Sequence, residues 1–450
     1  MDIFPFFRHA FTVILSTAFA LHVSFAQNNP DTLSHLRVTA QLRPRAELRS
    51  GTFQPLAKSD RAAFLISQRS RLTMNYQYKN ILTLQFSPQN ISIWGQNPLT
   101  QTATSNNNLA FFEAWAKLRL SADASLQIGR QVISLDDERF FGALDWAQGA
   151  RAHDAVSFQF QKNKLVLRAQ AAFSQNYKEL YGNNLGNVSG ALFTSKDAAP
   201  YKWMQNVWLK YQPDQQNSLS FLISNLGFQN AKSSADLTAG TYFTQTAGVN
   251  YFHSGGQWKY QSSAYYQAGK NQQGISTRAY LAAVSAERLF HSKWSFILGG
   301  DWLSGNPVDG SIQKDNHAFN PYFGTNHKFY GSMDYYYAGN AHRNAGLGDI
   351  YLKARHTPDR KWTLALAAHQ FIAPVKLNNG GSDLSSDLGQ EFDLDFNYSL
   401  HPYLGLSGGY SVYAVTPSVH FLKGIVSSAS LQHWAWCTLN INPEILKLKF

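Results

Sequence analysis

The fold class follows from a nine-residue segment, Gln41–Arg49, whose sequence is QLRPRAELR. Each odd-numbered position in this segment is polar or charged, and each even-numbered position is apolar or proline. Because successive side chains of a β-strand point to opposite faces, one face would carry three arginines and a glutamate while the other is apolar. We therefore predict a strand that separates a polar interior from an apolar surrounding.

The same alternation recurs in four later segments, at residues 69–77, 113–119, 391–398 and 434–441. A soluble β-sandwich would also alternate, but its inner face would be the apolar one. The connections distinguish the two architectures, because short turns alternate with longer polar segments, as in outer-membrane barrels with short periplasmic turns and long external loops. The predicted turns lie at 79–80, 121–125, 161–164, 212–218, 253–257, 289–293, 356–361 and 400–403, and the longer segments at 50–63, 87–109, 132–154, 174–202, 225–241, 268–277, 302–348, 373–390 and 412–430. We predict an all-β fold, a single transmembrane antiparallel up-and-down β-barrel of about eighteen strands.

The composition suits such a barrel. Aromatic residues make up 14% of the chain and charged residues only 15%, and the mean hydropathy is −0.30 because polar residues fill the positions between apolar ones. Beyond the N-terminus, no stretch approaches the ~20 apolar residues of a transmembrane helix. A barrel of this size leaves an aqueous channel unless a loop narrows it.

The N-terminus has the features of a secretory signal peptide. A basic start at Arg8 precedes an apolar run, Ala10–Phe25, and Ala26 supplies a small residue at the cleavage position. We predict that residues 1–26 are a cleaved signal peptide and that 27–450 form one barrel domain in the outer membrane of a Gram-negative bacterium. An uncleaved anchor helix is the alternative.

The formal net charge of +11 would otherwise suggest a nucleic-acid partner. The signal peptide argues against that partner, so the charge has to be explained in the cell envelope. A single cysteine, Cys437, allows no internal disulfide, and the fourteen histidines lack metal-ligand spacing. We expect no metal and no cofactor.

Basic residues and carboxylates share the face that the alternation assigns to the lumen. These candidates are Arg43, Arg45, Glu47, Arg49, Arg69, Arg71, Glu113, Lys117, Arg119, Arg168, Lys353, Arg355, Glu391, Asp393 and Asp395. An electropositive channel would attract polyanions, and the planar guanidinium binds sugar carboxylates through two parallel hydrogen bonds. The alternative is a set of cross-strand Arg–carboxylate pairs that stiffen the wall, and both can hold at once.

The segment 302–348 is rich in aromatic residues, which favours an ordered loop that stacks on sugar rings or folds inward over a disordered one. Signals for catalysis are poor, because the chain has no HExxH, P-loop or Gly-x-Ser-x-Gly motif. Asn326, His327 and Ser332 include the residue types of a barrel-embedded serine lipase but lie in a loop. We therefore expect no enzymatic activity.

An ordered series of motifs runs from the first predicted strand into the last third of the chain. They are Arg43-x-Arg45-x-Glu47-x-Arg49, Gln68-Arg69-Ser70-Arg71-Leu72, Trp94-Gly95, Glu113-Ala114-Trp115, Gly129-Arg130-Gln131, Phe141-Gly142-x-x-Asp145-Trp146, Gly324-Thr325-x-His327-Lys328-Phe329-x-Gly331-x-Met333-Asp334 and Leu347–Lys353. Together they resemble the alginate export family of outer-membrane barrels. One position departs from the family pattern, because Ser92 stands before Trp94-Gly95 where an arginine is expected.

The resemblance implies an eighteen-strand monomeric barrel with an arginine-rich constriction balanced by acidic residues. It adds Arg130 and Arg151 to the lumen candidates, with Asp145 and Asp154 as counter-charges. Arg130 follows Gly129, so it faces inward only if a bulge shifts the alternation.

The resemblance also implies passive export of a polyuronate that periplasmic partners hand over. Our first hypothesis is therefore a channel for anionic polysaccharide or oligosaccharide, embedded in outer-membrane lipid. A general or uptake porin with anion preference is the alternative, and a barrel enzyme is the third possibility.

Overall fold

The computed structural model describes residues 33–100, 109–176, 188–190, 192, 200–233, 236, 239–336 and 342–450. The predicted signal peptide and parts of four long connections lie outside the described residues.

Eighteen antiparallel strands form one closed barrel within this part of the chain. The strands are β1 (His35–Ser50), β2 (Ala63–Tyr78), β3 (Leu82–Ile93), β4 (Leu109–Arg119), β5 (Ala124–Gln131), β6 (His153–Lys162), β7 (Leu165–Phe173), β8 (Trp203–Tyr211), β9 (Asn217–Asn230), β10 (Gly240–Gly255), β11 (Trp258–Lys270), β12 (Ser276–Phe290), β13 (Trp294–Leu303), β14 (Leu347–His356), β15 (Trp362–Ile372), β16 (Asp387–His401), β17 (Leu404–Ala414) and β18 (Leu431–Ile441, continued by Glu444–Lys449). Each strand pairs with the next, and β1 closes the barrel against β18. Shorter elements lie in the loops, among them α1 (Pro417–Lys423) and a 3-10 turn at Asn326–Lys328.

The predicted strand number and the alternation of short turns with long connections are confirmed. Two boundaries differ by more than a few residues, because β3 continues through Ile93 and β9 through Asn230, whereas the sequence predicted loops from residues 87 and 225. The reason is visible in β3. The pairing with β4 shifts register between Ser87 and Pro88, and this bulge interrupts the alternation that the prediction depended on.

The outer face of the barrel is apolar. Apolar residues at alternate positions of the strands, such as Val284 and Leu298, are 61% and 62% exposed and point away from the lumen. Such a band faces lipid in an outer-membrane barrel. Among the described residues, no helix has the length and apolarity that crossing a bilayer requires.

The interior contains an apolar core, which the sequence analysis did not predict. It is built by two connections that fold inward, residues 132–152 between β5 and β6 and the described residues of segment 304–346 between β13 and β14. Phe140 and Phe141 of the first connection pack near Phe323 of the second and against wall residues such as Tyr265. The expectation that segment 302–348 includes an ordered loop is met by its described residues. The inward fold of 132–152 fills the part of the lumen next to the long connections and leaves open space toward the short turns.

Candidate functional site

Arg69 on β2 holds the first inward connection against the wall. Its side chain is 0% exposed. The guanidinium donates hydrogen bonds to the carbonyl oxygens of Gln148 at 2.6 Å, Ala147 at 2.6 Å and Asp145 at 3.1 Å. Arg69 therefore faces the lumen as predicted, but its donors are occupied by the loop and not presented to a solute.

Asp145 is the point where three wall arginines meet. Its carboxylate is 2.7 Å from a guanidinium nitrogen of Arg69, 3.7 Å from Arg43 and 3.8 Å from Arg71. The aspartate side chain is nevertheless 59% exposed, so it lies on the surface of the remaining open space. Three guanidinium groups around one carboxylate leave this cluster with a net positive charge, as the sequence predicted for a basic constriction.

Glu47 organises the next part of the wall. It is buried and pairs with Arg45 at 3.2 Å and Arg49 at 3.0 Å, and the indole nitrogen of Trp434 donates to it at 3.3 Å. The two ion pairs join residues two positions apart on β1, whereas the alternative in the sequence analysis was pairing across strands. They stiffen this part of the wall and occupy much of the charge of Arg45 and Arg49.

Trp146 joins the two inward connections to the wall. The carbon of the Arg45 guanidinium lies 4.3 Å from the centroid of its ring, and His327 stacks on it with centroids 4.3 Å apart and planes 9° apart. His327 in turn lies 2.8 Å from a carboxylate oxygen of Asp334. The stack therefore couples residues 132–152 to residues 304–346.

A second anchor lies across the lumen, at Asp136, Asp137 and Arg139. Arg139 pairs with Asp137 at 2.7 Å and with Asp301 of β13. Burial lowers the pKa of Arg139, but Asp301 and Asp137 outweigh burial and raise it well above its ordinary value. Asp136 accepts hydrogen bonds from Trp208 and Asn250, so the same loop segment is tied to three different strands. The sequence analysis missed this anchor, because a charged run in a polar loop has the same pattern as a solvated one.

Open space remains between the inward connections and the short turns. It includes a cavity of about 550 Å³ and an adjoining one of about 510 Å³, which share part of their lining. Five cations line the first cavity: Arg43, Arg45, Lys328, Lys353 and Arg355, with Trp146, Trp436, Asp393 and Asp395 beside them. Lys353 and Arg355 were predicted to face the lumen, whereas Lys328 and Trp146 were not among the site candidates.

The lumen near the short turns is basic. Lys117 and Arg119 line a third space there, and Lys259 and Arg355 line the second cavity. Glu287 faces the same region and lies 3.2 Å from Lys259 and 4.0 Å from Arg355. Since short turns mark the periplasmic end of an outer-membrane barrel, these cations lie toward the periplasmic mouth.

The predicted carboxylates are mostly engaged within the wall. Glu391 is buried and accepts the backbone N–H of Met333 at 2.8 Å, and Asp393 accepts the Ser411 hydroxyl at 2.5 Å. Glu113 accepts hydrogen bonds from Gln85 at 2.6 Å and from Trp115 at 3.0 Å. These residues share the lumen face with the arginines, as predicted.

Two residues that were predicted to face the lumen, Arg130 and Asp154, do not face it. Arg130 and Asp154 are paired across β5 and β6, next to the exposed pair Ile128 and Val156 with no register shift, so they lie on the outer face. Without a bulge, the even-numbered position after Gly129 cannot face inward.

Arg151 lies in the first inward connection and donates hydrogen bonds to the carbonyl oxygens of Phe323 and Gly324. Burial lowers the pKa of Arg151 to about 10, which Glu138 partly opposes. This arginine joins the two inward connections and does not line the open space described above.

Among the described residues, no group of three or more His, Cys, Asp or Glu side chains could hold a metal ion.

Solved structures with the same fold are outer-membrane porins. OccK3 (OpdO) of Pseudomonas aeruginosa matches with 12% identity and a TM-score of 0.59, over 92% of this chain and 96% of the porin. OccAB1 of Acinetobacter baumannii matches with 11% identity and a TM-score of 0.59, over 91% and 97%. OpdK of Pseudomonas aeruginosa, in a structure with vanillate, matches with 10% identity and a TM-score of 0.55, over 91% and 99%. At these identities the likeness concerns the fold alone.

No curated protein sequence matches the chain significantly. The sequence profile of the alginate export family, in contrast, matches residues 34–421. With the closed barrel and the polar lumen, this match places the protein in the outer membrane as a channel. The chain belongs to the alginate export family.

Proposed function

We propose that this channel passes anionic saccharides, of the polyuronate type, passively across the outer membrane and without catalysis. The observation that carries the proposal is the lining of the open lumen. Lys328, Lys353 and Arg355 surround a cavity that is also lined by the indole rings of Trp146 and Trp436. Cations suit uronate carboxylates, and aromatic rings suit the apolar faces of sugars.

The position of the basic groups supports transport from the periplasm. A polyanion that enters at the short-turn end meets Lys117, Arg119, Lys259 and Arg355 before it reaches the cluster around Asp145. Conduction needs contacts that release as readily as they form, and several partly neutralised cations meet that need better than one tight site. The same proposal includes a periplasmic partner that delivers the polysaccharide to the channel. It also includes a channel that works as a monomer.

The experiment is a planar-bilayer recording of ion selectivity while polyuronate is titrated into one chamber. We expect anion preference and block by polyuronate, with no block by an uncharged polysaccharide of the same length. Arg355→Gln should weaken the block by up to about fivefold, since it removes one exposed ion-pair contact. Arg278→Gln is the matched control, because Arg278 is an exposed arginine on the outer face of β12. Cation preference, or equal block in both variants, would overturn the proposal.

Uptake of small carboxylates is the second candidate. A cavity of about 550 Å³ is within the usual range for small-molecule sites, and the inward connections fill much of the lumen beyond it. OpdK, which has the same fold, was solved with vanillate, a small aromatic carboxylate. Flux of such a carboxylate into vesicles, with no block by polyuronate, would favour uptake over saccharide export.

A further inference from the structure

We propose that the outer surface of β11–β13 binds the anionic headgroup of a glycerophospholipid in the periplasmic leaflet, with Arg288 as the central contact. This inference is independent of the solute, because it concerns the lipid-facing wall and not the lumen.

Arg288 is an exposed arginine on an otherwise apolar face. Its Cα is paired with Trp258 on β11 and with Phe296 on β13, so aromatic residues flank it on both sides. The guanidinium carbon lies 4.6 Å from the ring centroid of Phe290 and 5.3 Å from that of Trp258. Rings at these distances stabilise a cation while leaving the N–H groups at its edge available.

The guanidinium has no other partner in the part of the chain that the structure describes. It takes part in no ion pair and donates no side-chain hydrogen bond there, in contrast to Arg43, Arg45 and Arg69. The nearest acidic residue along the strand, Glu287, points to the lumen and pairs with Lys259 at 3.2 Å. Five N–H donors on a lipid-facing surface therefore need an acceptor from outside the protein.

The depth of Arg288 matches that of lipid headgroups. It lies two residues before the end of β12 at Phe290, next to the short turn 291–293. Trp258, Trp294 and Trp362 are exposed on the outer face at the same end of their strands. Tryptophan belts mark the membrane–water interface, so Arg288 is placed where phosphodiester groups lie.

The charge of the neighbouring turns favours an anionic headgroup over a zwitterionic one. His291 and Lys293 are exposed in the adjoining turn, and Arg360 and Lys361 are exposed in the turn before β15. Asp359 is the acidic residue of that turn, and it accepts the backbone N–H groups of Lys361 and Trp362. A bidentate guanidinium–phosphate contact with further cations nearby is a suitable site for a phosphatidylglycerol-like headgroup.

The test is native mass spectrometry of the delipidated full-length protein, titrated separately with phosphatidylglycerol, phosphatidylcholine and inorganic phosphate. We expect tighter retention of phosphatidylglycerol than of phosphatidylcholine, and retention about fivefold weaker in Arg288→Gln. The Arg288→Lys variant should retain phosphatidylglycerol more tightly than Arg288→Gln and less tightly than the wild type. Lysine keeps the positive charge but cannot form two parallel hydrogen bonds to the phosphate.

Arg278→Gln is the control, since Arg278 lies on the same face of β12 at the opposite end of the strand. Heat-modifiable migration on gels confirms that each variant is a folded barrel before it is compared. Equal retention of phosphatidylglycerol by wild type and Arg288→Gln would overturn the proposal. So would equal binding of the two lipids, or inorganic phosphate binding as tightly as phosphatidylglycerol.

Discussion

At the scale of single residues, the arginines of one face have different roles. Arg69 is buried and serves the inward connection, whereas Arg355 has a side chain that is 50% exposed and lines the open lumen. The alternation of β-strand residues predicts that both side chains point into the lumen. It does not predict which of them is buried and which is exposed. Exposure depends on what packs against the wall, and that is decided by residues far away in the sequence.

Arg69→Ala should destabilise the protein by about 2–3 kcal/mol, because it removes charge-assisted hydrogen bonds to buried carbonyl groups. The measurement is the free energy of unfolding in urea, in lipid vesicles. Arg49→Ala is the control, since the Arg49 side chain is 31% exposed and its loss should cost less. Equal costs would show that the carbonyl contacts of Arg69 add no stability.

Lys423, at the end of α1, gives a pH dependence at the same scale. Its Nζ donates to the carbonyl oxygen of Tyr335, and burial lowers its pKa from 10.5 to about 7. Between these two values the unfolded lysine binds a proton and the folded one does not, so local stability should rise with pH from about 7 to about 10.5 and stay flat below about 7.

Amide hydrogen exchange of α1 checks this expectation, with Lys423→Met compared at each pH to remove the intrinsic pH dependence of exchange. The wild type should gain protection relative to the variant as the pH rises. A constant difference between the two proteins across this range would contradict the assignment.

At the scale of elements, the main feature is the inward connection 132–152 and its two anchors. One anchor is the arginine cluster at Asp145, and the other is the group of contacts made by Asp136, Asp137 and Arg139. Both Asp145 and Asp154 were predicted as counter-charges in the lumen. They differ because Asp145 lies in the inward connection, whereas Asp154 lies on β6 and follows the outward parity of Val156.

Asp145→Asn should loosen this connection and raise the single-channel conductance. Its carboxylate balances three guanidinium groups, and the loss of a charge-assisted bond of about 1.5 kcal/mol would shift the population of a displaced loop roughly tenfold. Single-channel recording at low salt measures the change in conductance and noise. Asp154→Asn is the matched control, because Asp154 lies on the outer face, and an equal effect of both substitutions would argue against loop anchoring at Asp145.

At the scale of the whole molecule, Lys117, Arg119, Lys259 and Arg355 make the short-turn mouth of the lumen basic. A channel with such an asymmetric charge should rectify when all copies are inserted in one direction, and it should conduct more anions than cations. Both effects should fade at 1 M salt, where charges are screened within about 3 Å. Current–voltage curves at low and high salt measure this, and rectification that persists unchanged at high salt would instead indicate a steric origin.

The sequence by itself determined the strands, their number and the face on which most candidate residues lie. These properties are local, because period-two alternation and turn residues act within a few positions of each other. The tertiary structure alone decided how the lumen is filled. Arg69 reaches Gln148 across 79 positions and Arg139 reaches Asp301 across 162, and such contacts depend on the closed barrel bringing distant walls together. No local pattern encodes that approach, so the sequence indicated a basic lumen but not which cations remain open to a solute.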